Sequence, residues 1–257
     1  MSSLQPPAPL RLAILVTDEP LPGIREKLGQ FDAIFTTLLR AACQSLDPPQ
    51  ALESELEISA HDVVAGDPET VYPDPATIDA VLITGSRHSA YSNDEWVLRL
   101  TAYTRLLLEE GRVRVIGVCF GHQIAARALG AQVTPSSRGW ELSVTELELT
   151  NEGKRVFGTE SLAIYQTHRD AVLEYPKGIE SLAQSKQCPT QSMYIPGRLL
   201  TVQGHPEYSP FIMSEMLRVR HRAGAIPRRA FTDAMLRATN KHNGIDIARA
   251  FLRFLRE

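Results

Sequence analysis

Residues 113–130 read Val113-Arg-Val-Ile-Gly-Val-Cys-Phe-Gly-His-Gln-Ile-Ala-Ala-Arg-Ala-Leu-Gly130. Val113–Val118 is apolar and largely β-branched apart from Arg114. Ile124–Leu129 is short-chained and helix-tolerant, and Gly130 stops it, so the pattern predicts a buried strand that turns abruptly into a helix near Cys119. Gly117 and Gly121 flank that cysteine at the spacing of a nucleophile elbow, where small neighbours allow a cramped turn that pushes one side chain out beyond the sheet. The first N–H groups of such a helix lie near the sulfur and favour an anion there. On this local pattern alone, a catalytic thiol and an inert buried cysteine fit equally.

The chain around this stretch has 257 residues, enough for one large α/β domain or two small ones with a full apolar core. Its 27 basic against 30 acidic residues give a net charge of −3, which leaves no electrostatic footprint for nucleic acid. The basic runs Arg218–Arg222 and Arg228-Arg229 read as solvated helix faces. Three widely spaced cysteines, Cys43, Cys119 and Cys188, match neither a disulfide framework nor a zinc site, and no metal or cofactor is expected. Residues 1–9, with Pro6, Pro7 and Pro9, form no secretory leader and read as a disordered lead-in. No apolar run approaches the roughly 18 residues that a membrane span requires. A soluble cytoplasmic protein with no membrane or nucleic-acid partner is expected.

Outward from the elbow, Leu10–Thr17, Leu56–Val64 and Ala80–Thr84 read as strands. Phe31–Leu46 carries a helical apolar stripe, and a second helix runs from a cap at Asn93 or Asp94 to Glu110, with Gly111 as its stop. The alternation implies a parallel sheet with helices on both faces and a site at the carboxyl ends of its strands. From Gln132 to Val202 short apolar segments at 162–165, 180–183, 192–195 and 198–202 follow Trp140–Leu149 with little helix between them, which predicts antiparallel ribbons extending the same sheet. Phe211–Arg222, Arg228–Thr239 and Ile245–Leu255 return to helix.

After the segment Leu199–Gln203 comes Gly204-His205-Pro206-Glu207. Pro206 holds the chain extended, so His205 and Glu207 tend to project to one side, and the carboxylate can orient the imidazole towards a nucleophile. An isolated His-Pro-Glu would also suit a surface turn; with a cysteine at an elbow it becomes a Cys-His-Glu arrangement.

Gly117-Val-Cys-Phe-Gly-His-Gln123 together with Gln203-Gly-His-Pro-Glu207 resembles the class I glutamine amidotransferase family. Leu82-Ile-Thr-Gly-Ser86 is similar to its oxyanion-strand loop, although Gly85-Ser86-Arg87 stands where Gly-Gly-Pro or Asn-Gly-Pro is usual. Gln166-Thr-His-Arg-Asp170 is similar to its Ser-His-x-Asp segment. The resemblance implies a flavodoxin-like three-layer α/β sandwich over residues 10–208, with 209–257 as a helical extension. It further implies Cys119 as nucleophile, His205 as general base and acid, Glu207 as orienting carboxylate, and the N–H groups of Ser86 and Phe120 as the oxyanion hole. Gly85, Gln123, Trp140, His168, Arg169 and Asp170 would hold the glutamyl group.

The layout is most similar to stand-alone members, including GMP-synthase-like amidotransferase domains and plant γ-glutamyl peptidases, the latter sharing the helix start seen here as Asn93-Asp-Glu-Trp96. The resemblance therefore implies a hydrolase of glutamine or γ-glutamyl peptides that works through a thioester. Two other expectations stand beside it: a glutaminase subunit feeding ammonia to a synthetase partner in trans, and a non-catalytic regulatory module. Arg87, His88 and Tyr91 are expected at the rim. His122 and Cys43 are expected to be structural, Cys188 a loop thiol, and Trp140 either a pocket wall or a core residue.

Overall fold

The computed structural model describes residues 8–257, so the expected lead-in lies outside the described residues except for Ala8 and Pro9, which are exposed coil. The first half of the chain alternates strand and helix: β1 (Leu10–Val16), α1 (Pro22–Leu28), α2 (Phe31–Gln44), α3 (Leu52–Glu55), β2 (Leu56–Asp62), β3 (Ala80–Ile83), α4 (Glu95–Glu110), β4 (Arg114–Val118) and α5 (Phe120–Ala128). Then come β5 (Val133–Pro135), β6 (Glu141–Leu149), α6 (Asn151–Phe157), β7 (Leu162–His168), β8 (Asp170–Val172), β9 (Glu180–Gln184), β10 (Ser192–Ile195) and β11 (Leu199–Val202). Three helices close the chain: α7 (Pro210–Arg222), α8 (Arg228–Arg237) and α9 (Gly244–Phe254). Among the described residues no helix is long and apolar enough to cross a membrane.

The main sheet has nine strands in the order β2-β1-β3-β4-β11-β10-β9-β6-β7. Its first five strands are parallel, and the remaining pairings are antiparallel. The parallel part has the 2-1-3-4-5 order of flavodoxin-like folds. Period-2 alternation splits its side chains between two faces. Leu12, Ile14, Leu82, Ile116 and Val118 pack with Phe35, Leu39, Phe251 and Phe254 of α2 and α9. Ala13, Leu15, Val81, Ile83 and Val115 pack with Val97, Leu100 and Leu107 of α4 and with Ile124 of α5. The result is a helix–sheet–helix sandwich, and the C-terminal α9 completes one of its outer layers.

The region from 132 to 202 contains more local structure than its composition predicts. α6 exists because the Thr150 side chain accepts a hydrogen bond from the N–H of Gly153, and because Gly158 ends the helix in the left-handed conformation. Its seven residues are too few to show an amphipathic stripe. β5 and β8 form a separate two-stranded ribbon of three residues each.

The junction of β4 and α5 leaves no room for side chains. A Cβ on Gly121 would stand 2.3 Å from the Ile83 carbonyl oxygen, and one on Gly117 would stand 2.6 Å from that of Gly121. Helix propensity alone favours Gly121→Ala by about 1 kcal/mol. The clash with fixed backbone outweighs that, so Gly121→Ala is expected to lower the midpoint of urea unfolding; a raised midpoint would show that the β3–α5 contact is not what limits this position.

Candidate active site

Four strand ends converge at the carboxyl edge of the parallel sheet. β4 lies between β3 and β11, with Ile83 opposite Gly117 and Val202 opposite Val118. The ladder runs one residue further, since the Cys119 N–H donates to the Val202 carbonyl at 2.9 Å. Cys119 itself takes φ 51° and ψ −100°, a conformation that L-residues rarely adopt. The segment after β11 is tethered separately: the N–H of His205 donates to the Tyr165 carbonyl at 2.8 Å, bridging it to β7.

These constraints bring Cys119, His205 and Glu207 together, although 86 positions separate the thiol from the imidazole in the sequence. A Cβ placed on Gly85 would stand 2.7 Å from the Cε1 of His205 and 3.5 Å from the Cβ of Cys119, so the two side chains flank a single point. His205 Nδ1 lies 2.8 Å from Glu207 Oε1, and all three side chains are buried. Nδ1 is thereby occupied by a carboxylate, and Nε2 remains for exchange with sulfur. Burial by itself would hold this imidazole neutral. The charge of Glu207, followed by the charge and hydrogen bonding of Cys119, overcomes that penalty and raises the pKa of His205. The Tyr208 ring stacks on the imidazole with centroids 4.1 Å apart and planes at 19°. It fixes the ring plane and is attracted to the cationic form.

The loop facing Cys119 is braced from β1. Thr17 Oγ1 donates to the Gly85 carbonyl at 3.0 Å, Ser86 Oγ donates to the Thr17 carbonyl at 2.9 Å, and the N–H of Arg87 donates to Asp18 at 2.7 Å. With these groups engaged, the N–H of Ser86 has no acceptor among the described residues, and neither does the N–H of Phe120 in the first turn of α5. Trp96 stacks on the Phe120 ring at 5.6 Å and so supports the second of these donors.

Two cavities meet at the thiol. One, of about 540 Å³, is polar and is bounded by Gln123, Trp140, His168, Arg169 and Asp170 together with Ser86 and Cys119. The other, of about 560 Å³, is mainly apolar and is bounded by Gly85, Ser86, Cys119, His205 and Tyr208 together with residues of the β1–α1 loop, α1, the start of α2, and α7. The residues expected to hold a glutamyl group thus gather around the polar cavity, except Gly85, which faces the apolar one. Their side chains are not equally available. Gln123 Nε2 is committed to the Asp170 carbonyl and to Gln203. His168 lies between Glu141 and the Asp170 carbonyl, each 3.0 Å away, so neither ring nitrogen is free for a ligand. Trp140 is half-buried as a wall of the cavity, with the Arg220 guanidinium 4.7 Å above its ring.

Several contributors escape sequence reasoning. Asp18 and Thr17 act on a loop some 68 positions away through backbone contacts that carry no motif. Arg220 is one of several arginines in a basic helix run, and only its hydrogen bonds to Thr167 place it between the two cavities. His122 is fully buried; Nδ1 lies 2.7 Å from Thr201 Oγ1, and burial lowers its pKa to about 3, so it is a neutral structural group. Cys43 and Cys188 are buried, and burial raises both thiols' pKa values. His88 packs edge-on against Trp96 and borders the polar cavity beside Arg87. Among the described residues no group of three or more His, Cys, Asp or Glu side chains is placed to hold a metal.

Comparison with known proteins gives the family and the fold. A putative glutamine amidotransferase-like protein of Schizosaccharomyces pombe is 30% identical over 250 residues, 96% of this chain and 98% of that protein. Gamma-glutamyl peptidase 5 of Arabidopsis thaliana is 32% identical over 155 residues, 57% of this chain and 61% of that protein. The fold matches a crystal structure of a glutamine amidotransferase from Thermotoga maritima with a TM-score of 0.71 at 15% identity, covering 96% of this chain and 99% of that one. The family model for "Glutamine amidotransferase class-I" matches residues 51–220, and the chain belongs to that family.

Proposed function

We propose that this protein is a cysteine hydrolase of γ-glutamyl amides, taking glutamine or a γ-glutamyl peptide through a γ-glutamyl thioester. The observation that carries the reading is the convergence of Cys119 and the Glu207-held His205 on one point beside Gly85, with a polar cavity adjoining the sulfur. Similarity to the Arabidopsis γ-glutamyl peptidase supports the substrate class.

The chemistry follows from the placement of the groups. His205 Nε2 takes the thiol proton, and the sulfur attacks the γ-carbonyl carbon. The oxygen becomes negative, and the N–H groups of Ser86 and Phe120 receive it, each contributing on the order of 3 kcal/mol. His205 then gives its proton to the amide nitrogen, the C–N bond breaks, and an amine or ammonia departs, since an amide anion cannot leave unaided. Water attacks the thioester with His205 again as base; glutamate leaves and the thiol is restored. Arg169 and Asp170, of opposite charge at the polar cavity, suit the α-carboxylate and α-ammonium groups of the glutamyl moiety. Glu207 holds the imidazole in one tautomer and stabilises its cation.

Purified protein is expected to release glutamate from glutamine or from γ-glutamyl dipeptides. Cys119→Ala is expected to lower the rate by about four orders of magnitude or more, as loss of a nucleophile does in comparable triads. Steady-state glutamate release checks both, and unchanged turnover in the variant would rule out the thiol mechanism.

Glu207→Gln gives a test with a definite sign. The folded-state pKa of His205 lies above its ordinary 6.5, so the Glu207 ion pair stabilises the fold fully below that pH and loses this effect as pH rises through the folded value. The stability deficit of Glu207→Gln is therefore expected to be largest near pH 6, about 3 kcal/mol or more, and to shrink at alkaline pH. Denaturant titrations at several pH values check this; a deficit that grows with pH would contradict the ion pair.

A further inference from the structure

The two cavities share Ser86, Arg87, Cys119, Thr167 and Arg220, yet His205 borders only the apolar one. That asymmetry assigns their roles. The atom that receives the His205 proton is the departing nitrogen, so the amine portion of a substrate lies on the side that His205 faces. The acyl portion then lies on the other side, among polar groups. The apolar cavity is walled by Pro20, Leu21, Ile24 and Phe31 from the β1–α2 segment, and by Ile212 and Met216 from α7. Ile24 and Ile212 are buried, whereas Leu21, Phe31 and Met216 are half-buried and form the accessible wall. The space inside it, about 560 Å³ with the part open to solvent included, exceeds what ammonia requires.

We propose that this cleft is the leaving-group subsite, and that it selects γ-glutamyl amides of bulky apolar amines, such as γ-glutamyl dipeptides with phenylalanine or leucine in second place. The inference rests on the hydrolase reading above and deepens it. An apolar side chain entering the cleft displaces water from Leu21, Phe31 and Met216. A glycine leaving group leaves them wet and gains nothing. Because the amine occupies the cleft while His205 protonates it, burial favours the transition state as well as the bound substrate, and the preference is expected in kcat/KM.

The test is kcat/KM of the full chain for γ-glutamyl-phenylalanine, γ-glutamyl-glycine and glutamine, followed by glutamate release. The phenylalanine dipeptide is expected to exceed the glycine dipeptide by about tenfold or more, and Met216→Glu and Leu21→Ser, two independent wall positions, to reduce that ratio by about threefold or more. Equal kcat/KM for the two dipeptides, or a ratio that neither substitution changes, would overturn the subsite while leaving the hydrolase reading intact. Absence of glutamate release from all three compounds would overturn the hydrolase reading, and the subsite with it.

Discussion

The backbone at Cys119 is the constraint on which the remaining architecture depends. An L-residue at φ 51° and ψ −100° costs on the order of 1–3 kcal/mol, and it persists only because β4 and α5 leave the chain no other path. Gly117 and Gly121 permit their backbones to close to distances that any Cβ would forbid. The β3–β4–β11 register then converts one strained residue into an aligned group, since the ladder from Val202 to Cys119 sets the sulfur's height relative to His205. The central strand is buried on both faces by α2, α9, α4 and α5, so this height cannot drift without disturbing two cores.

Electrostatics adds a second layer of order. Glu207 and His205 are both buried, an arrangement that desolvation opposes for each partner separately. Their direct contact and the nearby thiol reverse that penalty at the imidazole. Tyr208 stacked on the ring and the tether from His205 to Tyr165 restrict it to one orientation. The Thr17–Asp18 corner does for the Gly85–Arg87 loop what Tyr165 does for His205: it ties the segment down through specific hydrogen bonds and so fixes where it stands beside Cys119.

The elements legible in the sequence were those with long or sharp signals. β1, β3 and β4 are nearly unbroken apolar runs, α2 and α4 span several turns of amphipathic pattern, and the Gly-x-Cys-x-Gly and His-Pro-Glu motifs define local geometry within a few residues. Their meeting was legible only in combination, because pairing of β11 with β4 is a register fact that neither motif contains. α6, β5 and β8 lacked the length for a periodic signal and are held by a cap or by ribbon pairing. The strand order beyond β11 runs β10-β9-β6-β7, which alternating hydrophobicity cannot rank. The division of the site into a polar and an apolar cavity was hidden for a similar reason: Leu21, Phe31 and Met216 read as ordinary helix-face or loop residues until the starts of α1 and α2 and the face of α7 bring them to the thiol. Availability was equally invisible, as His168 and Gln123 show by spending their nitrogens within the protein.

The most direct test of the central claim is covalent trapping of the thiol with a glutamine-like diazoketone, read by intact mass and peptide mapping. The account predicts a single adduct on Cys119, suppressed by excess glutamine or γ-glutamyl peptide. An unmodified Cys119, or an adduct on Cys43 or Cys188 instead, would contradict it.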